Sequence, residues 1–207
     1  IKYGFWTSSA KNNEILTEAY KACLDQDAPV YLVFSVAKSG HFIGIAQMLS
    51  PFNPGMSFKY WCEGNKWFGS FKVKWIYVKD VDDSALMHIK QLNLANFRGN
   101  IPINKMKDCS EISEKNGKEV LKIFNDYECD SSFFDCFAFL DQREDECRSL
   151  RDNDPEFMKS FLEMSKQFVD SLETKKKYNK GAEPFVAQRY QKGVNEEEVP
   201  ENLEERF

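Results

Sequence analysis

The sequence predicts a mixed α/β or α+β domain followed by a helical extension. Pro29–Val36 and His41–Met48 are apolar runs that flank the turn Lys38-Ser39-Gly40, the pattern of two strands in a hairpin. Phe71–Val78 alternates apolar and polar residues with the period of a half-buried strand. Asn12–Gln26 and Gly117–Tyr127 carry apolar residues at helical spacing, so helices flank these strands.

The elements follow in chain order. In Asn12–Gln26, the residues Ile15, Leu16, Ala19, Tyr20, Cys23 and Leu24 share one stripe, and Asn12 or Asn13 can cap the helix. Pro29–Val36 is continuously apolar, as in a strand buried on both faces. Pro51-Phe52-Asn53-Pro54-Gly55 is a loop, and Tyr60–Phe68 is a polar-aromatic segment with a turn at Gly64-Asn65. Ser84–His88 reads as a short helix or turn, and Asn93–Pro102 as a polar loop. Gly117–Tyr127 holds the stripe Val120, Leu121, Ile123, Phe124 and Tyr127, and Ser132–Leu140 is rich in phenylalanine. The domain is expected to span 1–143 and the extension 144–207. Asp154-Pro155 starts an amphipathic helix near 155–174, with Phe157, Phe161, Met164, Phe168 and Leu172 on one face. That face either packs back on its own domain or docks another protein. Lys175–Lys177 suit a helix C-terminus; alternatively Lys175–Lys180 track phosphates. Residues 178–207, with Pro184, Gly193, Pro200 and many glutamates, read as weakly ordered.

With 207 residues, 42% hydrophobic and 29% charged, the chain is long enough for one core and an appendage. No apolar stretch is long enough for a membrane helix. A chain that opens on Ile1 rather than Met is expected to be a fragment. The six cysteines form no CxxC pair and no zinc spacing, so reduced thiols and a cytoplasmic or, alternatively, nuclear setting are expected, with no metal or cofactor. A net charge of −5 argues against nucleic acid when taken alone. The acid is concentrated in Asp141–Glu146 and near the C-terminus, however, while lysines recur at 66, 72, 74, 79, 90, 105 and 107. An acidic tail can therefore mask a basic face.

Catalysis usually needs a base, and the chain has only His41 and His88. A Cys–His pair such as Cys62 with His41 is open to it, but no nucleophile elbow, P-loop or metal signature occurs. The chain is expected not to be an enzyme. Binding has a better candidate. Trp6, Trp61 and Trp67 all sit in polar, turn-rich settings, whereas Trp75 lies in a strand pattern and reads as core. Each loop tryptophan could simply pack at the edge of the core. If they converge, they form an aromatic box of the kind that stacks on unpaired bases.

The residues Lys2-Tyr3-Gly4-Phe5-Trp6-Thr7-Ser8, Pro29–Val36, Ser39-Gly40-His41-Phe42, Lys66-Trp67-Phe68-Gly69 and Trp75–Val81 together resemble the YTH domain, the reader of N6-methyladenosine in RNA. Leu86-Met87-His88-Ile89, Val120–Phe124 and Phe134-Asp135 extend the likeness, in order, to about residue 143, on the cytoplasmic, YTHDF-like side of the family. The resemblance implies a curved, barrel-like sheet of about six strands flanked by helices. It implies a cage for the methylated base walled by Trp6, Trp61 and Trp67, with the Thr7 carbonyl accepting the N6 hydrogen. It further implies backbone contacts at Lys11, Lys38 and Lys107 and single-stranded mRNA as the partner; the extension lies outside the resemblance, and mRNA-processing or decay proteins are the partners expected if its helix docks another protein.

The chain also departs from the family pattern. The family's first strand and its base-edge Asp or Asn would fall before Ile1. Ala37 stands where relatives carry Asn, Glu14-Ile15 where a basic pair is expected, and Lys107 where an Arg is expected, which loses the bidentate fork. The segment Asn93–Asn100 looks longer than usual and is a further place for RNA contact. These departures motivate an alternative: an interaction scaffold whose RNA binding is vestigial.

Overall fold

The computed structural model describes residues 1–61, 63, 66–92 and 99–178, with side chains to residue 174. The strands are β1 (Phe5–Trp6), β2 (Tyr31–Ser35), β3 (His41–Met48), β4 (Phe71–Asp82), β5 (Lys90–Leu92) and β6 (Asn100–Pro102). The α-helices are α1 (Ala10–Leu24), α2 (Asp83–Leu86), α3 (Glu114–Asp126), α4 (Phe137–Asp152) and α5 (Pro155–Tyr178). β1 to β4 make a four-stranded antiparallel sheet in the order β1-β4-β3-β2, and β5 pairs with β6 in a separate ribbon. The mixed α+β class holds, with the strands divided between a sheet and a ribbon.

The sheet curls because its registers slip. β3 and β4 lose step between Phe42 and Gly44 and again between Ile45 and Ala46, and β2 and β3 between Phe34 and Ser35. Such irregularities bend a strand and increase its twist. They also deliver residues to both faces. Phe42 and Ile45 join Val81, Leu86, Ile89, Ile103, Val120 and Phe124 in one core cluster. Ala46 and Met48 join Leu16, Phe71 and Val73 in a second, under α1, with Trp6, Phe34, Phe52 and Trp75 packed against it.

Three expectations are corrected. The strand expected to be buried on both faces is the edge strand β2, with Tyr31 and Ser35 exposed, while β3 is the buried central strand. The cap of α1 is Ser9, whose hydroxyl accepts from the Asn12 N–H, rather than Asn12 or Asn13. The polar stretch ending at Pro102 closes with β6, although 93–98 lie outside the described residues. Trp75 is half-buried against the second cluster, its ring 4.7 Å from Phe34.

The extension folds back on the domain. Residue 143 lies within α4, which is continuous from Phe137 to Asp152. Asp154 Oδ1 accepts the N–H groups of Glu156 and Phe157 and so caps α5, with Pro155 at the first helical position as expected. Phe161 is buried, and Phe161 and Phe168 each lie 5.8 Å from the Phe68 ring.

Candidate nucleic-acid interface

Trp6 ends β1, and the chain turns at once into the cap of α1. Asn13, on the first turn of that helix and 1% exposed, holds the turn. Its Oδ1 accepts from the Ser8 N–H at 2.9 Å, and its Nδ2 donates to the Ser8 carbonyl at 2.9 Å and to Thr7 Oγ1 at 3.3 Å. Thr7 is thereby buried and its backbone fixed beside Trp6. The Trp6 ring packs edge-on to Phe34 at 5.2 Å on one side. On the other it meets Trp61 at 6.0 Å and 82°. Two indoles at a right angle form a corner, in which a flat base stacked on one ring presents its edge to the other.

Trp61 and Trp67 sit on the loop between β3 and β4. The ends of this loop are tied by the Asn53–Ser70 bridge and by the bond from Ser70 Oγ to the Met56 carbonyl, 2.7 Å. Gly69, at φ +68°, donates its N–H to Ser57 Oγ at 2.8 Å. Trp61 is wedged against Phe5 at 5.9 Å and Phe58 at 5.5 Å. Its Nε1–H is buried without an acceptor among the described residues. Trp67 is half-buried, with Lys66 Nζ 4.9 Å above its ring, and Lys66 also pairs with Glu63 at 2.6 Å. The structure therefore brings Trp6, Thr7 and Trp61 together. Trp67 lies at the far end of the same loop, and the expected turn at Gly64-Asn65 lies outside the described residues.

The expected backbone-binding lysines are all exposed. Lys11 lies on the first turn of α1. Lys38 occupies the β2–β3 turn at φ +66°. Lys107 precedes Cys109, which packs in the same cluster as Trp6. Ala37, Glu14 and Ile15 are exposed as well. His41 and His88 are engaged elsewhere: His41 Nδ1 lies 2.9 Å from the Ser39 carbonyl, and His88 Nε2 lies 2.9 Å from Glu119. Cys62 lies outside the described residues. Among those residues, no group of His, Cys, Asp and Glu could hold a metal ion, and no helix is long and apolar enough to cross a membrane.

Sequence reasoning missed what braces the loop. Arg151 Nη1 donates to the carbonyls of Lys59 at 2.6 Å and Trp61 at 2.8 Å. The Arg148 guanidinium lies 3.9 Å from the centre of the Tyr60 ring. Asp152 accepts from Lys59 Nζ at 2.6 Å and from the Tyr60 hydroxyl at 2.7 Å. These residues read as a charged surface run, and nothing local to them marks which backbone they reach. The Asn13 network was hidden in the same way, because Asn13 reads equally well as a cap.

Residues 1–125 match the YTH family, described as the YT521-B-like domain. The chain is 40% identical over 151 residues to mouse YTH domain-containing family protein 1, covering 73% of this chain and 26% of that protein. It is 38% identical over 146 residues to Arabidopsis thaliana YTH domain-containing protein ECT1, covering 70% and 33%. The matched region thus spans about a quarter to a third of the length of these relatives. Among solved structures, the YTH domain of Zygosaccharomyces rouxii MRB1 in complex with N6-methyladenosine RNA is similar at TM-score 0.54 and 35% identity, covering 63% of this chain and 78% of that one. The Pho92 YTH domain in complex with m6A is similar at TM-score 0.57 and 31% identity, covering 65% and 80%. With a curled sheet, a Trp6–Trp61 corner and a matching profile over more than half its length, this chain belongs to the YTH domain family, in the branch of the YTH domain-containing family proteins.

Proposed function

We propose that the chain is a non-catalytic reader that binds N6-methyladenosine in single-stranded RNA and so affects the fate of the mRNA that carries it. The observation that carries this reading is the right-angled corner of Trp6 and Trp61 beside the pinned backbone of Thr7. Solved YTH domains of similar sequence were obtained with the methylated nucleoside or RNA bound, which supports the same ligand here.

In this reading the modified adenine stacks in the corner and Trp67 closes the third side. The Thr7 carbonyl accepts the remaining N6 hydrogen. N6-methyladenine is neutral, so the cage supplies stacking and methyl burial rather than a full cation–π bond. Burying one methyl contributes about 0.8 kcal/mol and engaging the N6–H about 1 kcal/mol. Together these give roughly tenfold to hundredfold preference over adenine. Lys11, Lys38 and Lys107 take the phosphates, and the base must lie outside a duplex to enter.

Calorimetric titration of one single-stranded oligonucleotide, methylated and plain, at a fixed salt concentration tests the reading. A methyl preference in the stated range is expected, with the RNA mass unchanged after incubation. Equal affinities would overturn the reader and favour a protein-interaction scaffold instead. That second reading draws on Phe139, Leu150 and Leu162, large apolar side chains that α4 and α5 leave more than half exposed.

A further inference from the structure

The strongest unexplained feature of the fold is one face of α4. Asp141, Glu144, Arg148 and Arg151 recur at spacings of three, four and three, so they share one side of the helix. No residue of α4 is fully buried, and this face carries ion pairs and hydrogen bonds from the helix to the domain. Its first half grips the segment leading into Trp6. Lys2 Nζ bonds Asp141 at 2.8 Å and Glu144 at 3.2 Å, and the Tyr3 hydroxyl bonds Glu144 and accepts from Arg148 Nη2 at 3.0 Å. Its second half grips Lys59, Tyr60 and Trp61. One helix face therefore spans the two segments that meet at the Trp6–Trp61 corner.

Arg151 is the member of this face that touches the backbone of a wall residue. A single guanidinium nitrogen bridges carbonyls two residues apart, which fixes the course of the chain through Tyr60. The Trp61 ring nitrogen has no acceptor among the described residues, so its carbonyl is the polar anchor through which Arg151 can hold it. Hydrogen bonds from a charged donor to a carbonyl are stronger than those from a neutral one, and the two N–H groups of one terminal guanidinium nitrogen supply both bonds.

We infer that Arg151 is a positioning residue for the methyl-adenine site, and that the α4 face around it is part of the reading apparatus. The inference rests on the reader assignment above. A base cage discriminates one methyl group only if its walls hold their separation, because a gap of an ångström forfeits much of the dispersion contact. Loosening Trp61 should therefore cost methylated RNA more than plain RNA, which gains nothing from the snug wall.

The test compares the wild-type chain with Arg151→Met, which keeps the aliphatic stem, on methylated and plain oligonucleotides of one sequence. Thermal melting is followed in parallel. The expected result is about a tenfold loss of affinity for methylated RNA and at most a threefold loss for plain RNA, so the methyl preference collapses. A merely structural role would lower the melting temperature and the active fraction but leave the ratio of the two affinities intact, and that outcome overturns the inference. Should Arg151→Met fail to fold, Tyr60→Phe removes the hydroxyl with its bonds to Asp152 and Lys59 and keeps the ring under Arg148. A preference reduced about threefold in that variant supports the inference, and an unchanged one overturns it. A wild-type chain with no methyl preference overturns the reader assignment itself, and this inference with it. A wild-type preference that survives in Arg151→Met overturns this inference alone.

Discussion

Asn13 grips Ser8 from both sides, accepting its N–H and donating to its carbonyl at 2.9 Å each. The same side chain reaches Thr7 Oγ1, so one buried amide sets the backbone to which the proposed reading assigns the N6 contact. Asn13→Ala leaves the half-buried Ser8 groups without their protein partners, which costs about 1 kcal/mol or more. Melting temperature and methylated-RNA affinity should fall together. Native stability in this variant would show that the turn does not need Asn13.

Trp6 and Trp61 should be separable from Trp75 by mutation. Trp6→Ala and Trp61→Ala each remove a stacking surface and should cost about 1–3 kcal/mol in binding to methylated RNA. Trp75 packs against Phe34 and Gly44 rather than at the corner, so Trp75→Phe should alter stability with binding little changed. Titration of the three folded variants against one oligonucleotide decides the point.

In the proposed reading Lys11, Lys38 and Lys107 act through charge and should therefore reveal themselves through salt. Lys11→Ala, Lys38→Ala and Lys107→Ala should each flatten the plot of log affinity against log salt by about 0.7, the value for one phosphate contact on a single strand. The methyl preference should persist in all three. Lys107→Arg should strengthen binding by restoring the bidentate fork. A salt slope unmoved by any of the three would place the RNA backbone elsewhere.

Gly44 is required by the sheet itself. A Cβ there would meet the Tyr77 carbonyl oxygen at 2.4 Å and the Trp75 ring at 2.9 Å. The carbonyl belongs to the β3–β4 ladder and has no room to retreat. Gly44→Ala should destabilise the domain by about 1–3 kcal/mol through overpacking. That corresponds to a drop of roughly 2–12 °C in melting temperature for a chain of this size.

Acid should loosen α4 from the domain. Hydrogen bonds from Lys59 and then Tyr60 hold the Asp152 carboxyl below its usual range. Burial works against the charged form of Glu144, but Tyr3, Arg148 and Lys2 outweigh it and its pKa is also lowered. For such groups the unfolded chain binds more protons than the folded one in the window between the two pKa values. Their contribution is complete above about pH 5, beyond the unfolded values, and disappears as pH falls through the lowered folded values. The protection of α4 amides, relative to their intrinsic exchange rate at each pH, should fall on acidification below about pH 4, and the doubly neutral Glu144→Gln, Asp152→Asn variant should lack that acid limb.

Much of the architecture was legible in the residues. The His41–Met48 strand, the turn before it, the Asp154-Pro155 helix start and the Phe161–Phe168 stripe are local patterns that sequence periodicity reports directly. The assignment of β2 as a buried strand failed because an apolar run does not say which edge of a sheet it occupies. β4 runs four residues past the expected Val78, where Val81 pairs with Phe42 and Asp82 with His41. Its length is set by a partner rather than by its own alternation. Of the site, the resemblance pointed to Trp6 and Trp61, but their right angle depends on Phe5, Phe34 and Phe58, which read only as apolar residues. Arg151 was invisible for the same reason: it reaches carbonyls about ninety positions away, and carbonyls have no sequence.

The grip of α4 also sets a timetable. A polypeptide leaves the ribosome from its N-terminus, so Trp6 emerges first, Trp61 follows, and the helix that clasps both their segments comes roughly ninety residues later. Phe161 and Phe168, which back the same loop, come later still. On a nascent chain the two indoles can meet before their brace exists. In the proposed reading, competence to discriminate a methyl group is then acquired only once α4 has been synthesised, later than the two walls themselves.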